Sequence, residues 1–276
     1  MQPATSATEP AFRLRVIDSV VRDNLAEGQG SGLPCAGAGM ALHNGPVHIE
    51  DSEITDNTAS VLGRGGGLCI GADVEVRLVD SLVSRNRSLE SGGGLFSEGG
   101  ILWLEDSTVS LNTLNSAPRQ GGGIYAMGGE VNVVGATFRF NGHVNPLTAS
   151  TIHAEDLRRF SLSDSSVRSL STGVGIEVFD ASVVEISNLE ISGLRTGVTL
   201  SDISESTIEN LTIDRTQSDH SGLAVIDSQD MVIRSLTVLG TGGGSVARGA
   251  ALVAELAEIQ LENFFLPTIG SRTTAP

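Results

Sequence analysis

Seven residues in the middle of this chain have the types and spacing that could support chemistry: Phe96, Glu98, Tyr125, Met127, His153, Glu155 and Glu177. Phe96, Tyr125, His153 and Glu177 recur at one place in a repeat, and Glu98, Met127 and Glu155 recur two residues further on. His153 is a candidate general base or acid, with Glu155 or Glu177 as its partner. Tyr125 and Phe96 are candidates for stacking on a sugar ring, with Glu98 and Met127 beside them. Glu98, Glu155 and Glu177 are also a candidate set for a hard cation. The plainer account is that loops fold over this stripe and bury the aromatics, while the carboxylates face water. An open groove with His153 and a carboxylate converging would favour an enzyme. Covered aromatics would favour a structural wall.

These positions line up only if the chain is a coil. One apolar column runs Val16, Ile49, Leu78, Leu104, Val133, Leu162, Ile186, Ile208, Ile233 and Leu261. A second, five residues later, runs from Val21 and Ile54 through Phe138 to Val238 and Leu266, with spacings of 22 to 33 residues. Apolar and polar residues alternate around both columns, which is the period of a strand with one face inward. Repeats of this length and texture predict a parallel β-solenoid of about ten coils. Three residues before the second column stand Asp18, Asp51, Asp80, Asp106, Gly135, Asp164, Asn188, Asn210, Ser235 and Asn263. These types tolerate a left-handed bend, so a corner is predicted there and not a metal ladder. The next residue is small early (Ser19, Ser52, Ser81) and large late (Leu189, Leu211, Leu236), which predicts an interior that changes its filling along the axis. Asn24, Asn57, Asn86, Asn112 and Asn141 form a further column, suited to amide hydrogen bonds from coil to coil. It ends at Leu170, dividing a regular front half from a tighter back half.

Composition narrows the function. The formal net charge is −16 and no lysine is present. Nucleic acid and anionic membrane surfaces need a basic face and are excluded as partners. Schiff-base and lysine-base chemistry are excluded as well. No apolar run is long enough to span a bilayer, so no membrane insertion is expected. Cys35 and Cys69 lie about one coil apart; a disulfide and two buried thiols are both open readings, and two cysteines without a CxxC make no zinc site. Gly242-Gly243-Gly244 has no following lysine or helix and makes no phosphate loop. Neither a metal nor a cofactor is therefore expected. Asp219-His220 reads as a turn, and His48 and His143 read as isolated, solvated side chains. Residues 1–10 carry neither a basic n-region nor an apolar core, which leads to the expectation of a piece of a longer exported protein.

The triplets Gly65-Gly66-Gly67-Leu68, Gly92-Gly93-Gly94-Leu95 and Gly121-Gly122-Gly123-Ile124 stand in phase with Phe138-Arg139-Phe140-Asn141 and its looser copies ending at Asn86 and Asn112. This pairing resembles the repeats of polymorphic outer membrane proteins, over about residues 14–141. The resemblance implies an all-β, single-stranded right-handed parallel β-helix of the pectin-lyase type, secreted or displayed on a cell surface. It also implies that ligands bind in a groove beside the Gly-marked strand column, where the seven residues fall. The expected layout is a lead segment at 1–13, the β-helix at 14–266 and a tail at 267–276. Two functions follow. The first is a non-enzymatic stalk or adhesion surface whose partner is a glycan or a surface protein. The second is a carbohydrate-active lyase or hydrolase using His153, Glu155 and Glu177. The pattern carries no signal for an oligomeric state.

Overall fold

In a computed structural model the chain winds as a parallel β-solenoid. The structure describes residues 13–27, 35, 37–60, 63–115, 121–143, 150–169, 173–214, 221–239 and 251–263. The expectations placed on Leu170, Asp219-His220, Gly242–Gly244, Leu266 and the two chain ends lie outside them. Every strand pairing among the described residues is parallel, and the predicted column pairs in order: Val16 with Ile49, Ile49 with Leu78, and so on to Ile233 with Leu261. The interior is one continuous, mostly aliphatic core running from Leu42 to Val238, with Phe138 and Phe160 inside it.

Each front lap has three strands and a short fourth. In one such lap they are Leu95–Glu98, Ile101–Glu105, Thr108–Ser110 and Thr113–Leu114. The fourth pieces form their own ladder from Leu25–Ala26 to Gly142–His143, which the sequence reading did not resolve as strand. The corner between the second and third strands is the predicted left-handed bend, with φ of 46° at Asp80 and Asp106, 68° at Gly135 and 49° at Asn188. The following serines are buried, and each hydroxyl closes the bend by donating to the carbonyl two residues back, as Ser81 does to Val79 at 2.6 Å. The same oxygens accept the backbone N–H of the previous lap, as Ser81 Oγ does from Ser52 at 3.1 Å.

The glycine triplets and the asparagines have one cause. Asn57, Asn86 and Asn112 are fully buried at the third-to-fourth corner. Each side-chain oxygen accepts two N–H groups from the previous lap, and each amide donates onward, as Asn112 Nδ2 does to Asn141 Oδ1 at 2.9 Å and to Val83 O at 2.9 Å. The third glycine of each triplet lies against the asparagine of its own lap: a Cβ on Gly67 would stand 2.8 Å from Asn86 Nδ2, and one on Gly94 3.0 Å from Asn112. The first glycine supplies a left-handed φ, 64° at Gly92. Where the asparagines stop, the corner tightens. Val174–Ser192 and Thr196–Asp214 are unbroken 19-residue strands. Single left-handed aspartates, Asp180 and Asp202, replace the Gly-Gly corner of the front laps.

Candidate functional site

Register places the predicted stripe as expected. Phe96 pairs with Tyr125, Tyr125 with His153, and His153 with Glu177; in the next row Glu98 pairs with Met127 and Met127 with Glu155. Alternation turns these side chains away from the aliphatic core, and the parallel ladder sets one above another.

The rings form a stack along the solenoid axis. Phe96 and Tyr125 centroids are 5.6 Å apart with planes 9° from parallel, and Tyr125 and His153 are 5.0 Å apart at 16°. His153 continues to Phe179 at 5.4 Å. The guanidinium of Arg64 lies 5.1 Å above the Phe96 ring. Below Phe96 sits Cys69, joined in a disulfide to Cys35, so the disulfide is the alternative that holds. Phe96 is fully buried and His153 is 2% exposed. Tyr125 has a ring on each face. None of these three rings offers a free face outward.

Polar groups tie the stack. The Tyr125 hydroxyl donates to Glu155 Oε1. Burial, and then that carboxylate, push the phenol well above its ordinary range, so it stays a donor. His153 Nε2 faces Glu155 at 3.4 Å and Nδ1 faces Glu177 at 3.2 Å. The convergence of His153 with two carboxylates is therefore present, and the open groove over Phe96 and His153 is not. Both ring nitrogens are already engaged, which leaves none free for a substrate proton. The cation set does not assemble: Met127 separates Glu98 from Glu155, and among the described residues no three acidic, histidine or cysteine groups gather into a metal site. One oxygen of Glu98 is buried with no hydrogen-bond partner.

His48 corrects its expectation. It is buried at 8% exposure, faces Glu50 Oε2 at 3.0 Å, and stands in register between Arg15 and Arg77 of the adjacent laps. Two features were missed. Arg64 precedes the glycine run, and nothing in its local text marks it as the lid of a ring one lap on in the same strand column. Asp156 hydrogen-bonds Asp180 one lap on, which lifts its carboxyl above the usual range. Asp156 opens the run of single-aspartate corners that continues at Asp180 and Asp202, and that spacing was the available signal.

A parallel solenoid with a continuous core, amide and hydroxyl ladders at its corners and a stacked ring column on one wall is a β-helix protein. The chain belongs to the right handed beta helix region family, whose model matches residues 122–259, and its coil is accordingly right-handed. That match falls on the back of the chain, whereas the GGG-and-Asn texture lies at the front. No curated protein and no solved structure matches the chain.

Proposed function

We propose that this chain is a non-catalytic β-helix segment of an exported surface protein, a rigid stalk that also presents a binding surface. The observation that carries this reading is the closed ring column: its faces are stacked on one another and both nitrogens of His153 meet carboxylates. An acid–base site needs a nitrogen or carboxylate free to meet the substrate. A stack pinned by hydrogen bonds stiffens a wall. The Cys35–Cys69 bond supports an oxidising compartment. The resemblance to polymorphic outer membrane protein repeats points to the cell surface, and a pectin-lyase-type coil is the finer form of the fold proposed here.

The test is incubation of the disulfide-intact protein with acidic and neutral glycans, reading new reducing ends and unsaturated-sugar absorbance. No product above the protein-free blank is expected. Product formation that disappears in His153→Ala and Glu177→Ala would sink the proposal and establish the lyase or hydrolase reading, which the convergence of Glu155 and Glu177 on His153 favours. Display is tested by protease shaving of intact producing cells, which is expected to release fragments of this chain. A chain untouched by the protease on intact cells and cleaved only after lysis would overturn the surface assignment.

A further inference from the structure

We infer that two copies of this chain pair through the outer face of the second-strand sheet, with their solenoid axes antiparallel and Trp103 of each copy set against Asn132 of the other. The inference concerns a different wall from the ring column and does not depend on the non-catalytic reading.

The first observation is an open face with an aromatic centre. Side chains between the inward columns form outward rows, and the middle row passes from Arg15 through Trp103 and Asn132 to Thr207. Tight corners bound the sheet on both sides, Gly128 and Gly129 before it and Gly135 after it in one lap, so no described connection crosses the face there. Trp103, Val134 and Ile17 are 36%, 42% and 41% exposed on it. Asn132 is only 5% exposed, and its Nδ2 has no hydrogen-bond partner among the described residues. A large aromatic facing water, beside a buried amide with an idle donor, marks a surface that a partner covers.

The second observation, the charge pattern, selects the partner. Carboxylates outnumber arginines on this face, so most ways of laying it on itself oppose like charges. One way does not. A two-fold along the strand direction, between the Trp103 lap and the Asn132 lap, sets Glu75 opposite Arg159, Arg13 opposite Glu205 and His48 opposite Glu185. The remaining carboxylates meet neutral side chains: Glu50 meets Ser187, Glu105 meets Val134, Glu130 meets Ile101 and Glu209 meets Ile17. Moving the axis by one lap sets Glu75 on Glu205 or Arg13 on Arg159. Centring it on a lap sets Glu105 or Glu130 on its own copy. A two-fold along the solenoid axis sets Arg15 on Arg15 and Glu185 on Glu185. Opposed like charges disfavour association, so a single register survives. It is the register in which the Trp103 indole N–H meets the amide of its partner's Asn132. Arg159 already holds Glu185 of its own chain and gains Glu75 as a second carboxylate.

The area suffices for a reversible dimer. Overlapping laps at about 4.8 Å and strands of about 16 Å cover roughly 600 Å² per copy, near the lower edge of specific interfaces. A closed two-fold makes every contact twice and leaves no growing end.

The experiment follows the full chain by sedimentation and by Trp fluorescence from about 1 to 300 μM, the range suited to an interface of this size. Trp103 is the only Trp in the chain, so its emission reports the face directly. A reversible monomer–dimer transition is expected, and with it a blue shift of emission and protection from acrylamide. Glu75→Arg alone and Arg159→Glu alone are each expected to weaken pairing about a hundredfold, tenfold at each of the two related sites. Mixing the two variants restores opposite charges at both sites and is expected to restore the dimer. Thermal unfolding of each variant close to wild type ties the loss to the face, and recovery in the mixture does so independently. A wild-type monomer with unshifted Trp103 emission throughout would overturn the proposal and leave the face to a different partner. A dimer that persists in both variants, a mixture no tighter than either variant alone, or open-ended growth would overturn it as well.

Discussion

Asn112 shows how much one side chain can carry in a solenoid. Its oxygen accepts the backbone and side-chain N–H groups of Asn86, and its amide feeds Val83 and Asn141. Asn112→Ala strands at least two buried partners, and at about 1–3 kcal/mol each the expected loss is about 2–6 kcal/mol in urea unfolding. Asn112→Asp keeps the acceptor and places an oxygen against Asn141 Oδ1, so it is expected to fold but less stably than wild type. Phe140 works the other way. Phe140→Asn relieves a left-handed bulky residue, and a gain of about 1 kcal/mol is expected in urea unfolding. At Asp156 the sign follows from its raised carboxyl. The folded chain holds that proton where the unfolded chain has released it, so the favourable contribution exists at low pH and fades as pH rises through the raised value. Asp156→Asn is therefore expected to raise the urea midpoint near pH 7 and leave it unchanged near pH 3. A neutral-pH midpoint at or below wild type would contradict the raised Asp156 carboxyl.

At the scale of elements, the triplet and the corner are one device. The front laps turn on glycines because the backbone of the next lap and the asparagine of the same lap press on them: a Cβ on Gly94 would lie 2.8 Å from Gly123 O as well as against Asn112. Gly94→Ala is expected to cost more than 1 kcal/mol, since neither contact is a flexible side-chain end. Much of this was legible. The αL bend, the alternation and the amide column follow from local residue types, since a bend or an amide ladder needs particular side chains wherever it occurs. The fourth ladder was not legible because two-residue strands carry no period. The order of the stripe could be read for the same reason as the core, but its closure could not. Whether Phe96 meets water depends on Arg64 and on the disulfide loop, and neither belongs to the repeat.

For the whole molecule, the disulfide closes a loop of 34 residues around the first laps. The chain-entropy relation gives about 4 kcal/mol for a loop of that size, as an upper figure. Solenoids lose stability locally, so Cys35→Ser with Cys69→Ser is expected to speed amide exchange in Leu68–Ile70 and Leu95–Glu98 and leave Thr196–Asp214 protected. Uniform acceleration across all laps would show one cooperative unit in its place.

By itself the sequence determined the winding. Every lap repeats the same short-range requirements, an inward aliphatic here and a left-handed bend there, so ten imperfect copies report one shape. Tertiary structure alone decided what the outer wall does. Outward side chains are not constrained by the core, and their exposure depends on non-repeating residues brought over them. That is why His153 could be placed in its column from the text, while its burial between two rings and two carboxylates had to be seen.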